Sequence, residues 1–200
     1  MSSTTYRYYH ANKNAGVTGN VSIPIATRVK SLKGLIVRPQ NAAIPNTSFN
    51  VGTGQAMGTT SLQFRVGSVL YPQSAVEFSN SNKGELFNEI RKCFGTIGSY
   101  NHGTMLNDVT FAQNADDRAA ASGLHTAARS LWVAAYDFET FAKSATESGI
   151  NTTNNAIPVE MNLKVAAGAN TGEQATRYDI FAMTDCIIYI GLDGRISTRI

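Results

Sequence analysis

The sequence predicts an all-β chain, an antiparallel sandwich with one main short helix at about residues 84–94. Three observations predict it. Leu62, Phe64 and Val66 alternate with Gln63 and Arg65, the pattern of a half-buried strand. Val159, Met161, Leu163 and Val165 alternate with Glu160, Asn162 and Lys164 in the same way. Leu86, Phe87, Ile90, Cys93 and Phe94 instead fall at helical spacing, so a single helix packs one face against the rest.

The elements follow in chain order. Residues 1–20 are polar around Tyr6, Tyr8 and Tyr9 and show no periodicity. Residues 1–16 are therefore expected to be an N-terminal arm, removable without unfolding the single domain formed by residues 17–200. Val21–Ile25 reads as a short strand, and Pro24 assigns it to an edge or an end. Val29–Arg38 reads as a second strand, and residues 39–60 as a long Asn-, Pro-, Gly- and Thr-rich loop. In the strand beginning at Ser61, Gly67-Ser68 predicts a kink and Pro72 an end. After the helix, residues 95–123 read as loop with a helical turn around Asp116–Ala121.

Ala128–Phe138 is an apolar strand holding Trp132, and Ser148–Asn155 a polar turn. Arg177–Ile190 reads as a long apolar strand in which Asp185 needs a partner or an exposed face. Asp193-Gly194 signals a tight turn, and Arg195–Ile200 closes the chain. Seven to nine strands fit an antiparallel sandwich. Its expected core includes Phe64, Val66, Leu86, Ile90, Trp132, Met161, Leu163, Ile187 and Ile188.

Composition narrows the function. At 200 residues and 42% hydrophobic, the chain suits one domain with a sizeable core. Charged residues make up only 16%, against about 25% in typical soluble domains, so uncharged packing contacts suit its surface. The charge is uneven. Residues 1–76 hold Arg7, Lys13, Arg28, Lys30, Lys33, Arg38 and Arg65 and no acid, whereas the remainder holds ten basic and fourteen acidic residues. Such a head-to-tail dipole favours contact between the basic part of one subunit and the acidic part of the next. It also leaves open a weak contact with nucleic acid, although no polybasic run occurs. Cys93 and Cys186 read as small buried hydrophobes, expected in a reducing compartment. Three glycosylation sequons read as loop sequence. No signal peptide or membrane span is expected.

No catalytic, cofactor or metal site is expected. His10, His102 and His125 lack metal-ligand spacing. Asp116-Asp117 reads as a helix cap. His125 near it lacks the Gly-x-Ser-x-Gly nucleophile elbow. Tyr6, Arg7, Tyr8 and Tyr9 are the candidate interface residues, because amphipathic rings and arginines concentrate at subunit contacts. Base stacking by the tyrosines is the other reading.

The order strand, Gly67-Ser68, Leu70-Tyr71-Pro72, helix resembles the jelly-roll domains of viral capsid proteins. It is similar to the carboxy-terminal jelly roll of the double jelly-roll major capsid proteins of polinton-like viruses and adintoviruses. Tyr136-Asp137-Phe138-Glu139, the turn Ser148-Gly149-Ile150-Asn151-Thr152 and Tyr178–Gly194 carry the rest of the likeness. The resemblance implies a jelly-roll sandwich and a structural, non-enzymatic protein without cofactor. It implies self-assembly with other copies and other capsid proteins into the shell of the virion or its vertices. Synthesis would be in the host cytoplasm or nucleus. A double jelly roll needs about twice this length, so the chain holds one jelly roll. A receptor- or carbohydrate-binding sandwich, like a spike head, is the alternative.

Overall fold

The computed structural model describes residues 2–42, 56–79, 82–93, 132–139, 148–154, 157–167, 174–192 and 194–199. The strands are β1 (Ser2–Lys13), β2 (Gly19–Ile25), β3 (Leu32–Asn41), β4 (Thr59–Val66), β5 (Val69–Glu77), β6 (Ala134–Asp137), β7 (Val159–Val165), β8 (Thr176–Ile190) and β9 (Ile196–Arg199). The helix, α1, spans Gly84–Cys93 between β5 and β6. Among the predicted helix, loop and site residues, Phe94, His102, Asp116, Asp117 and His125 lie outside the described residues.

Strand pairing follows one rule. β4 pairs with β5, β3 with β6, β2 with β7 and β1 with β8, all antiparallel. The chain is thus one long hairpin with its tip at Gly67-Ser68. Rolling that hairpin brings β8 against β3 and β7 against β4. The result is one sheet in the order β1-β8-β3-β6 and a second in the order β2-β7-β4-β5, with β9 added to β8. This is a jelly roll. Its core lies between the sheets, where Phe64, Leu35, Met161, Tyr178 and Ile180 are fully buried.

The tip corrects one expectation. Gly67-Ser68 does not kink a continuous strand; it is a two-residue hairpin loop, with Val66 opposite Val69. Gly67 has φ +62°, the left-handed conformation such tight loops require. Pro72 does not end the strand either. β5 is an edge strand, where a missing amide donor is tolerated. The β4–β5 register shifts between Leu62 and Phe64. Gln63 Nε2 crosses the irregularity by donating to the Pro72 and Gln73 carbonyls at 2.9 and 3.2 Å.

Helix α1 sits at the corner between the sheet edges. Leu86 and Ile90 are fully buried and Phe87 is half-buried. Leu86 shares a small enclosed gap with Leu62, Phe64 and Val76 of the second sheet and Ala135 and Tyr136 of the first. Cys93, at the helix end, places Sγ 3.4 Å from Met183 Sδ. Burial pushes its thiol up to about 12. Cys93 and Cys186 are both free thiols. Most expected core residues are buried, but Ile187 and Ile188 are only half-buried. β3 begins at Leu32, opposite Thr184, so β8 runs beyond the sandwich that would have covered them.

The turn at residues 148–152 is a clip on the start of β3. Leu32 and Ile150 exchange backbone hydrogen bonds of 2.8 and 2.9 Å. The Val29 amide donates to Thr152 Oγ1 at 3.0 Å, and the Thr152 amide donates back to the Val29 carbonyl at 2.9 Å. Gly149 passes so close that a Cβ there would meet the Leu32 carbonyl oxygen at 2.4 Å. Gly149→Ala must therefore open the clip. Losing the Leu32–Ile150 pair, at about 1 kcal/mol per hydrogen bond, should lower unfolding stability by about 2 kcal/mol or more in a urea titration. Faster amide exchange at Leu32 and Ile150 should accompany it.

Candidate functional site

Two features of the first sheet stand out: its outer face together with the β8–β9 tip, and a buried polar ring beside the clip.

The outer face begins on β1. Strand alternation puts Thr4, Tyr6, Tyr8, His10 and Asn12 outward. Tyr9 and Ala11 pack against the core. The four predicted interface residues are thus divided. Tyr6 and Tyr8 are about half exposed, at 52% and 51%, and Arg7 and Tyr9 lie on the opposite side of the strand. β1 has this form because β8 offers it a partner at every residue from Ile187 to Thr176. The segment expected as an arm is the edge strand of a sheet.

Tyr8 is fixed in place. Its hydroxyl donates to Asp179 Oδ1 at 2.7 Å, and its ring meets Phe181 at 5.5 Å and stacks on His10 at 6.2 Å. Asp179 also accepts from Gln40 Nε2, and from Arg177 Nε at 3.0 Å. Burial, then the hydrogen bond and charge of Asp179, raise the Tyr8 pKa above its ordinary value, with Arg177 opposing.

A second exposed apolar region lies past the sandwich, at the β8–β9 tip. Tyr189, Ile190, Leu192 and Ile196 are exposed, Ile190 at 63% and Ile196 at 70%. Sequence reading missed this tip by placing Ile187 and Ile188 in the core. The available signal was length: β8 has fifteen residues and β3 ten, so part of the apolar run has no strand of equal length to cover it.

The buried ring closes around Lys33. Lys33 Nζ lies 2.9 Å from Asp185 Oδ1 and 3.2 Å from Glu139 Oε1. Ser31 Oγ donates to Asp185 Oδ2 at 2.6 Å and accepts from the Gly149 amide at 3.0 Å. Ser148 Oγ donates to Glu139 Oε1 at 2.5 Å. Asp185 thus has the partner that the sequence required. Burial opposes the Lys33 charge, but the hydrogen bonds to Asp185 and Glu139 outweigh it and raise its pKa above the ordinary value. Nearby Asp137 is pushed up by burial, partly offset by the Glu139 amide.

Part of the charge asymmetry of the sequence is consumed inside the fold. Lys33 pairs with Asp185 and Glu139, and Arg65 lies 3.0 Å from Glu160. Lys13 is buried and donates to the Val17 and Gln174 carbonyls. A rolled hairpin sets early strands beside late ones, so basic and acidic halves meet within one chain. Among the described residues, no three His, Cys, Asp or Glu side chains group to hold a metal ion. No helix there is long and apolar enough to cross a membrane.

No protein-family model matches the chain, and no curated protein sequence matches it. Solved structures do. The mavirus major capsid protein superposes on 100% of this chain and 41% of its own, with a TM-score of 0.54 and 11% identity. PBCV-1 VP54, in a structure fitted into a reconstruction of the virophage Sputnik, superposes on 99% of this chain and 51% of its own, with a TM-score of 0.50 and 12% identity. The chain shares the jelly-roll fold of these capsid proteins. It spans about half, or less, of the length of these capsid proteins.

Proposed function

We propose that the chain is a capsid subunit, one jelly roll that self-assembles with further copies or other capsid proteins into a virion shell or its vertices. The supporting observation is the rolled-hairpin strand order, which superposes along the whole chain on a mavirus major capsid protein. The role is structural, and the place of action is the virion. The jelly-roll domain takes in the expected N-terminal arm, because β1 is the edge strand of its first sheet. Tyr6 and Tyr8 contact a neighbouring subunit, while Arg7 and Tyr9 lie on the other side of the strand, where Tyr9 anchors it. The exposed Ile190 and Leu192 supply the apolar part of that contact. Nucleic-acid contact has no support in the described residues, where Lys13, Lys33 and Arg65 are engaged within the chain.

Size-exclusion chromatography with light scattering, followed by electron microscopy of the peak, tests this reading. Rings or shells are the expected result. Tyr6→Ser combined with Leu192→Ser should shift the population toward monomer without changing the far-UV circular dichroism. A wild-type monomer at every concentration and salt, whether or not it binds glycans, overturns the capsid assignment.

A further inference from the structure

The ring around Lys33 is a buried cluster rather than a surface ion pair. The β3–β8 register runs from Leu32 opposite Thr184 to Gly34 opposite Met183. Lys33 is therefore the extra residue of a β-bulge, a device that re-aims a side chain. The Lys33, Asp185 and Glu139 side chains are only 13%, 7% and 14% exposed. One cation thus sits with two carboxylates in a nearly dry site. Burial disfavours the Lys33 charge, and the hydrogen bonds to Asp185 and Glu139 outweigh it, so the resting nitrogen is an ammonium already in contact with its proton acceptors. Proton transfer from the ammonium to a carboxylate converts them into an amine and a carboxylic acid, which are a nucleophile and its electrophile.

We propose that Lys33 and Asp185 condense to an intramolecular amide, an isopeptide bond between β3 and β8, with Glu139 as the proton carrier. The Lys33 ammonium gives one proton to Asp185 Oδ1 along the 2.9 Å contact, leaving a neutral amine against a carboxylic acid. The neutral Nζ attacks Asp185 Cγ, forming the C–N bond. Negative charge develops on Oδ2, which receives the Ser31 hydroxyl hydrogen bond at 2.6 Å. That hydroxyl is aimed, because Ser31 Oγ accepts from the Gly149 amide and so directs its own hydrogen at the carboxylate. Bond formation leaves Nζ with one proton too many, which passes to Glu139 Oε1 along the 3.2 Å contact. Glu139 delivers it to the Oδ1 hydroxyl, the Cγ–Oδ1 bond breaks to release Oδ1 as water, and the charge on Oδ2 reforms the carbonyl. An ammonium and a carboxylate become an amide and one water, with no oxidant, reductant or activating group. Ser148 Oγ, 2.5 Å from Glu139 Oε1, positions the carrier. Holding both reactants in contact supplies the effective concentration, on the order of 10⁵ M or more in well-oriented intramolecular reactions.

The reading is independent of the capsid proposal. The test is the intact mass of the full-length chain, measured after unfolding. The linked protein should be one water lighter than its sequence, counted with or without Met1. Trypsin should yield a branched peptide joining residues 31–65 to residues 178–195, because acylated Lys33 resists cleavage and Arg38 is followed by Pro39. Lys33→Arg should show its full sequence mass. Glu139→Gln should fold, by circular dichroism, and stay unlinked. A wild-type mass equal to that of the sequence after prolonged incubation of the folded protein overturns the proposal and leaves a salt bridge. A branch mapped to other residues overturns it equally. A linked Glu139→Gln variant overturns the role given to Glu139.

Discussion

Deleting residues 2–13 should abolish cooperative folding rather than merely weaken assembly. The deletion removes twelve residue pairs with β8. At about 0.5–1.5 kcal/mol net per hydrogen bond, that ladder is comparable with the roughly 5–15 kcal/mol that holds a whole domain. It also uncovers the β8 edge next to the buried Tyr178 and Ile180. The truncated chain should lose its sigmoidal denaturant transition and collect in the insoluble fraction. If it keeps a native transition midpoint, β1 is dispensable and the segment behaves as the arm that sequence reading expects.

Phe64→Ala should cost about 3–5 kcal/mol, the range for a fully buried ring whose cavity cannot collapse. Phe64 is 0% exposed. It lies opposite Met161 in the register, and its ring meets Phe138 edge-on at 5.8 Å and Tyr136 at 6.3 Å. The surrounding aromatic group spans both sheets, so the hole has rigid walls. Urea titration measures the loss. A value below about 1 kcal/mol would mean that the inner face of β4 is misassigned.

Several elements were legible because their signals are local. Alternation at Val159, Met161, Leu163 and Val165 reports a strand buried on one face, and all four are buried. Pro24 points to an edge, and β2 is one. The spacing of Leu86 and Ile90 predicts a packed helical face, and both are fully buried. Tyr6 was legible as an exposed amphipathic ring, but Tyr9 was not legible as a core contact. That difference depends on a strand, and the strand depends on β8, more than 160 positions away along the chain.

By itself the sequence determined most of the strands, though not β1 or the run of β5 past Pro72, where the helix lies, that Asp185 needed a partner and that the fold is an all-β sandwich. Periodicity and turn chemistry act over a few residues, so they survive in a linear reading. Only the tertiary structure decided that Gly67-Ser68 is the tip of one rolled hairpin, that residues 2–13 complete a sheet, and that the end of β8 projects beyond the core. It also decided that Ser31, Lys33, Glu139, Ser148, Gly149 and Asp185 form one ring. These are matters of cross-strand register. Register is set by contacts between residues far apart in the chain, and a change of one position turns every side chain to the other face.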